Sequence, residues 1–224
     1  MVQKKLLMIV NPTAGRSKPR GPLFDAAALF SQAGYLLSIR QTESPGDAIK
    51  IAAECGEDTD VVVAVGGDGT LNQTISGLMS LEQRPLLGYL PRGSTNDFAA
   101  SLHISSDPAA AADQILHGQR RALDIGRWNE RYFVYVASFG AFTRSSYTAP
   151  QAAKNALGHL AYILEGMKDL NSLRPYQIRL TADGEVLDGS YLFGAVCNST
   201  SIGGLMKLNP ERVVLDDGKF ELLL

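Results

Sequence analysis

The sequence predicts an α/β protein in two parts: a parallel sheet flanked by helices, then a region of antiparallel strands. Three observations carry that reading. Short apolar runs alternate with amphipathic segments as far as Leu90. One of those runs, Val61–Val65, is almost pure valine, which suits a central parallel strand covered on both faces. Beyond residue 120 the pattern changes, and Asp183-Gly184 between two alternating runs is a strong hairpin signal.

Taken in order, Leu6–Val10 reads as a buried strand that ends in the turn-rich stretch 11–22. In Leu23–Ala33 the apolar residues Phe24, Ala27, Ala28 and Phe30 recur at helical spacing, and Gly34 stands where a C-terminal cap belongs. Tyr35–Arg40 is a second strand, and Asp47–Cys55 a second helix introduced by Ser44-Pro45. The valine strand runs through a tight turn, Gly66–Gly69, into a third helix, Thr70–Met79. Leu86–Leu90 is a fourth strand, and Asn96–Ser101 opens a further helical turn. Alternation of this kind builds a parallel sheet with helices on both faces.

Arg121–Arg127 and Arg131–Ser138 read as strands joined by the turn Trp128-Asn129-Glu130. A helical stretch follows at Ala152–Leu170, then strands at Tyr176–Thr181, Glu185–Asp188 and Tyr191–Asn198. Lys219–Leu224 also has the pattern of a strand, so the sequence is expected to stop inside one, with an open sheet edge. The expected domains are 1–97 and 98–224. No Gly/Ser-rich or Pro-rich linker separates them, so they are expected to pack together.

Composition narrows the function classes. The 224 residues carry 21 Lys+Arg against 23 Asp+Glu, a formal net charge of -2, with 45% hydrophobic residues. That balance belongs to a globular chain long enough to fold without disulfide or metal staples. It excludes disorder, collagen and coiled coil, and it argues against a nucleic-acid partner, which calls for a basic face. Cys55 and Cys197 have no metal-ligand spacing and read as buried structural thiols. The apolar run Leu6–Val10 is shorter than the roughly 7–15 residues of a signal-peptide core. No stretch approaches the roughly 18 apolar residues of a membrane span. A cytoplasmic protein is expected, with transient contact with a bilayer surface left open.

The chemistry concentrates in three loops that follow parallel strands, where open α/β sheets bind their ligands. They are Asn11-Pro12-Thr13-Ala14-Gly15, Gly66-Gly67-Asp68-Gly69-Thr70 and Pro91-Arg92-Gly93-Ser94-Thr95-Asn96-Asp97-Phe98. Adjacent glycines let backbone amides approach a polyphosphate, and the dipole of the helix opened by Thr70 and Asn72 adds attraction. Each loop alone also reads as a plain strand-to-helix turn; three at one sheet edge do not. Neither a Walker loop nor the dinucleotide pattern is present. Asp68 among phosphate-cradling amides calls for a divalent cation or an acceptor role, unless it merely caps the next helix.

Together these loops resemble the diacylglycerol kinase catalytic domain, in particular the soluble bacterial lipid kinases of a superfamily that includes sphingosine and ceramide kinases. The likeness continues through Gly93-Ser94-Thr95-Asn96-Asp97-Phe98-Ala99, Leu123-Asp124-Ile125-Gly126 and Leu215-Asp216-Asp217-Gly218-Lys219-Phe220, so it spans the chain in order. The Gly-Gly-Asp-Gly-Thr loop by itself is also found in NAD kinases and phosphofructokinases. The resemblance implies a nucleotide-binding α/β domain, a C-terminal β-sandwich, and a cleft for ATP and a lipid alcohol such as diacylglycerol.

Carried over by position, the ATP contacts are Asn11, Pro12, Thr13, Ala14 and Gly15, then Gly66, Gly67, Asp68, Gly69, Thr70, Leu71 and Asn72, and the hydroxyl of Ser94. Ser94 stands where relatives usually have Thr. Thr42 matches a position that often touches the nucleotide. Asp68 is the catalytic carboxylate within the chain. A Mg²⁺ site is implied at Asp217, with backbone oxygens of Val214 and Lys219 and a water link to Asp124. Without the resemblance, Asp216-Asp217-Gly218 also reads as a hairpin turn, while an Asp inside a strand at Asp124 is disfavoured unless something needs it.

Family members continue to a glutamate regarded as the general base, expected beyond Leu224. The expected activity is ATP- and Mg-dependent phosphorylation of a lipid alcohol at a membrane surface. The alternatives are an NAD kinase-like phosphotransferase and a non-catalytic nucleotide-binding module; a homodimer stays open. Leu205-Met206-Lys207 and Phe139–Tyr147 are candidate docking surfaces. Ser199–Gly204 reads as a cleft lining or a flexible connector. His103, His117, His159 and the pair Arg120-Arg121 read as surface or capping residues.

Overall fold

The computed structural model describes residues 3–14, 21–140, 174–202 and 206–224. The first part contains β1 (Lys5–Val10), α1 (Gly21–Gln32), β2 (Leu36–Gln41), α2 (Asp47–Cys55), β3 (Val61–Gly66), α3 (Asp68–Leu78), β4 (Leu86–Pro91), α4 (Asp97–Ser101) and α5 (Pro108–His117). Its four strands form one parallel sheet in the order β2-β1-β3-β4. Val10 pairs with Gln41 and with Val65, and Val65 with Leu90, so the strands end level and their loops share one edge.

The pleat explains the layers. Leu6, Met8, Val61, Val63 and Val65 point to one face and pack with Ala26 and Phe30 of α1 and Ala111 and Ala112 of α5. Leu7, Ile9 and Val62 point to the other and meet Ala48 and Ala52 of α2 and Leu78 of α3. Period-two alternation of apolar residues on both faces is why the strands look continuously hydrophobic. Gly34 ends the α1 turn at φ +87°, as the cap reading expected.

α5 has no counterpart in the sequence reading, although its start is marked. Asp107 caps it by accepting from Ala110 N at 2.9 Å, and Pro108 stands in its first turn. α3 begins at Asp68, two residues before the expected Thr70, so the second glycine loop runs directly into a helix.

The second part contains β5 (Gly126–Trp128), β6 (Arg131–Phe133), β7 (Val136–Gly140), β8 (Tyr176–Ala182), β9 (Glu185–Tyr191), β10 (Phe193–Cys197), β11 (Ser201–Ile202), β12 (Met206–Lys207) and β13 (Glu221–Leu223). β7, β10 and β13 form an antiparallel sheet in the order β13-β10-β7. β8 and β9 pair across Asp183 (φ +51°) and Gly184 (φ +85°), the two positive φ values of the expected hairpin turn. Asn129 (φ +53°) turns β5 into β6.

Two expectations are corrected. The strand expected over Arg121–Arg127 is regular only from Gly126, so Asp124 does not lie mid-strand; its N–H donates to Leu215 O at 2.8 Å instead of to a ladder. Arg131–Ser138 is split into β6 and β7 around Val134 and Tyr135, where the Asn72 side chain meets the backbone: Nδ2 donates to Tyr132 O at the end of β6 (3.1 Å) and Oδ1 accepts from Val134 N (3.2 Å). The helix expected at Ala152–Leu170 and most of the docking stretch Phe139–Tyr147 lie outside the described residues. Val134, wholly buried, joins Ala64, Leu71, Ile75, Tyr89, Phe98 and Ala99 in the cluster that binds the two parts together. Among the described residues, no helix is long and apolar enough to cross a membrane.

Candidate active site

The three loops are knit into one structure. The Asn11 side chain folds back on its own loop, its Oδ1 accepting from Thr13 N (3.0 Å) and Thr13 Oγ1 (2.8 Å). Its Nδ2 donates to Thr70 Oγ1 at 3.1 Å, which ties the first loop to the second. The second and third loops touch through bare backbone: a Cβ on Gly93 would stand 2.6 Å from Gly67 Cα. A Cβ on Gly93 would force backbone to shift, and one on Gly67 would stand a tight 3.1 Å from Gly93 Cα. Arg92 N donates to Gly66 O at 2.6 Å, and the Asn96 amide grips Gly93 from both sides, accepting at 2.7 Å and donating at 3.0 Å.

Thr13, Gly69 and Ser94 remain exposed along this edge. Thr42 closes the same edge, its N–H on Val10 O at 3.0 Å. Thr70 and Leu71 are buried, so Leu71 contributes packing through its side chain. The Asn72 amide is engaged with Tyr132 and Val134, as described above. Gly15 lies outside the described residues. Thus Asn11 to Ala14, Thr42, the 66–72 segment and Ser94 stand along one edge of the sheet.

Asp68 sits where the loops meet. Its carboxylate accepts from Asp97 N (3.2 Å) and Phe98 N (3.3 Å), and so caps α4 in the third loop as well as opening α3. Burial, reinforced by the neighbouring charge of Asp97, pushes its pKa up to about 6. Sequence reasoning missed Asp97 as a site residue. It is 3% exposed, and its two carboxylate oxygens accept from Tyr135 OH (3.0 Å) and Ser201 Oγ (2.6 Å). A buried carboxylate beside a second one whose pKa is raised marks a candidate functional site. The Asn-Asp pair in the third loop was visible; its partners, far off in the chain, were not.

The Asp-Asp-Gly segment is drawn to Asp124. Gly218 N donates to Asp124 Oδ2 (2.7 Å) and Lys219 N to Asp217 Oδ1 (3.0 Å), with Gly218 at φ +76°. Asn198, wholly buried, bridges the carbonyls of Asp124 (3.2 Å) and Leu215 (3.1 Å) through Nδ2, while its Oδ1 has no partner among the described residues. No cluster of three or more His, Cys, Asp or Glu stands close enough to hold a metal among the described residues. The donors implied by the resemblance, two carboxylates and backbone oxygens, are the ligand types that a hard cation takes.

The remaining candidates are bland. Arg120 and Arg121 are exposed, and His117 pairs with Asp113 on α5. Cys197 is buried, with its thiol pushed up to about 12 by burial, and is inert. Within the expected Ser199–Gly204 stretch, Ser199 to Ser201 are hydrogen-bonded onto α4, while Gly203 and Gly204 lie outside the described residues.

With this geometry in hand, likeness to known proteins becomes decisive. Residues 5–128 match the model of the diacylglycerol kinase catalytic domain, and residues 136–224 that of the YegS C-terminal NAD kinase beta sandwich-like domain. The chain belongs to the diacylglycerol kinase family. That is a family of lipid kinases, so the chain is a phosphotransferase of this class. The diacylglycerol kinase of Bacillus subtilis is 40% identical over 223 residues, 99% of this chain and 73% of that protein. Its counterpart in Staphylococcus aureus is 37% identical over 224 residues, all of this chain and 71% of that protein. A crystal structure of a diacylglycerol kinase from Bacillus anthracis superposes with a TM-score of 0.79 at 28% identity, covering 99% of this chain and 73% of that one. For a diacylglycerol kinase-family chain, the shared edge of glycine loops and the antiparallel second part are the expected halves.

Proposed function

We propose that the chain is an ATP- and Mg²⁺-dependent lipid kinase that transfers the γ-phosphate of ATP to the hydroxyl of diacylglycerol or a closely related lipid alcohol. The observation that carries the reading is the fusion of three phosphate-type loops at one sheet edge beside the Asp68–Asp97 carboxylate pair. Asn11 to Gly15, Thr42, Gly66 to Asn72 and Ser94 form the nucleotide site of a domain spanning 1–97. Exposed amides at the Gly69 and Ser94 turns face the polyphosphate, and the start of α3 adds its dipole.

Asp217, backbone oxygens of Val214 and Lys219, and Asp124 through water would hold Mg²⁺, which would supply charge neutralisation near the transferring group. Asp68 orients the lipid hydroxyl for in-line attack on the γ-phosphorus as the bond to ADP breaks, and the hydroxyl proton passes to the glutamate base that the resemblance implies. Residues 98–224 hold the lipid, and the enzyme works in the cytoplasm at the surface of the bilayer that carries its substrate.

Incubation of the chain with labelled ATP, Mg²⁺ and detergent-dispersed diacylglycerol tests this. The expected result is labelled phosphatidic acid that disappears on chelation of the metal. Labelling of NAD with none of the lipid establishes the NAD kinase reading instead.

A further inference from the structure

The Ser199–Ser201 turn after β10 spends its polar groups on α4. Ser199, wholly buried, lies with its Oγ 3.0 Å from Ser101 Oγ and donates to Ser201 O at 2.7 Å. Thr200 donates to Ser101 Oγ through its N–H (3.2 Å) and its Oγ1 (3.1 Å). Ser201 Oγ then reaches Asp97 Oδ1 at 2.6 Å, a charge-assisted distance, while Tyr135 OH occupies Oδ2. These two donors are 104 and 38 residues from Asp97 in the sequence. A buried carboxylate needs donors. Hydroxyls of Ser201 and Tyr135 fill that role, one on each carboxylate oxygen. Mere adhesion between the two parts is already supplied by the apolar cluster around Val134.

We propose that Ser201 is a positioning residue for the kinase reaction: its hydroxyl aligns the Asp97 carboxylate beside Asp68, so the C-terminal part completes the active site when this turn seats on α4. The inference rests on the lipid kinase reading. Because Asp97 N donates to Asp68 Oδ2, the alignment extends to the residue that meets the lipid hydroxyl.

The test is steady-state phosphorylation of dispersed diacylglycerol by the full chain and by Ser201→Ala, Ser201→Thr and Asp97→Asn, with melting temperatures. Asp97→Asn is expected to lower kcat by about 100-fold or more. Ser201→Ala is expected to lower kcat roughly tenfold at unchanged KM for ATP, and Ser201→Thr to recover most of it. Unchanged kcat in Ser201→Ala beside an impaired Asp97→Asn overturns this inference alone. So does a loss that follows a fallen melting temperature and is not recovered by Ser201→Thr. Full activity in Asp97→Asn removes the carboxylate pair from the reaction. No transfer by the unsubstituted chain overturns the kinase reading and this inference with it. Should Ser201→Ala not fold, Tyr135→Phe asks the same question at the other oxygen; a similar kcat loss supports alignment, and wild-type kcat refutes it.

Discussion

Val63 in β3 and Val186 in β9 are the same residue in the same backbone conformation, yet Val63 is 0% exposed and Val186 54%. β3 is paired on both sides and covered by helices on both faces, whereas among the described residues β9 pairs only with β8. Strand propensity is therefore equal in the two regions, and stabilisation is not. What a β-branched residue contributes depends on how many layers close over it. The chemistry follows the same division. The phosphate-type loops spring from the covered sheet, where strand ends are held level, and the antiparallel part adds the groups that lean on them.

The largest effect expected from breaking this arrangement is at its centre. Asp68→Asn should cut kcat by at least about 10³-fold while leaving a folded protein. The parent's kcat/KM should fall on the acid side as Asp68, at about 6, takes up a proton. The stability sign is opposite. Folding raises this carboxyl from 3.8, so its favourable contribution is full below that value and lost as pH rises through 6. Asp68→Asn should lack that decline. Rate profiles and urea melts at pH 5 and 8 check both, and an active Asp68→Asn sinks the assignment.

Next comes the contact between loops. Gly93→Ala places a Cβ 2.6 Å from Gly67 Cα, backbone that cannot swing aside. A destabilisation of about 1–3 kcal/mol is expected, and nucleotide affinity measured by calorimetry should weaken about 10- to 100-fold. Native affinity in this variant would show that the loops do not act as a unit.

The paired valines then sharpen the comparison itself. Val63→Ala should cost about 2–3 kcal/mol, a transfer loss plus a cavity. Val186→Ala should stay within about 0.5 kcal/mol. Equal costs by denaturant unfolding would mean that the hairpin is covered as well as the sheet.

The three loops were legible because each depends on its neighbours in sequence: an apolar run, a glycine turn, a helix start. The same holds for the Asp183-Gly184 hairpin and for Gly34. The helix at Pro108–His117 was marked by Asp107 and Pro108 and still escaped, because its alanine-rich face carries little periodic contrast. Asn72 illustrates a deeper limit. Its place at the head of a helix was legible, whereas only the fold brings its amide onto the Tyr132 carbonyl and the Val134 N–H. Asp124 shows it again, since its backbone partner is Leu215, far along the chain.

The sequence by itself determined the order of strands and loops, and hence that the glycine-rich turns share one sheet edge. Residue periodicity and turn chemistry act over a few positions, and parallel pairing does the rest. Only the tertiary structure decided which polar groups converge on that edge. Asp97 meets Tyr135 and Ser201, and Asp124 meets Gly218, through packing of distant segments. Such encounters depend on register and layer contact between regions, and a local pattern carries no record of them.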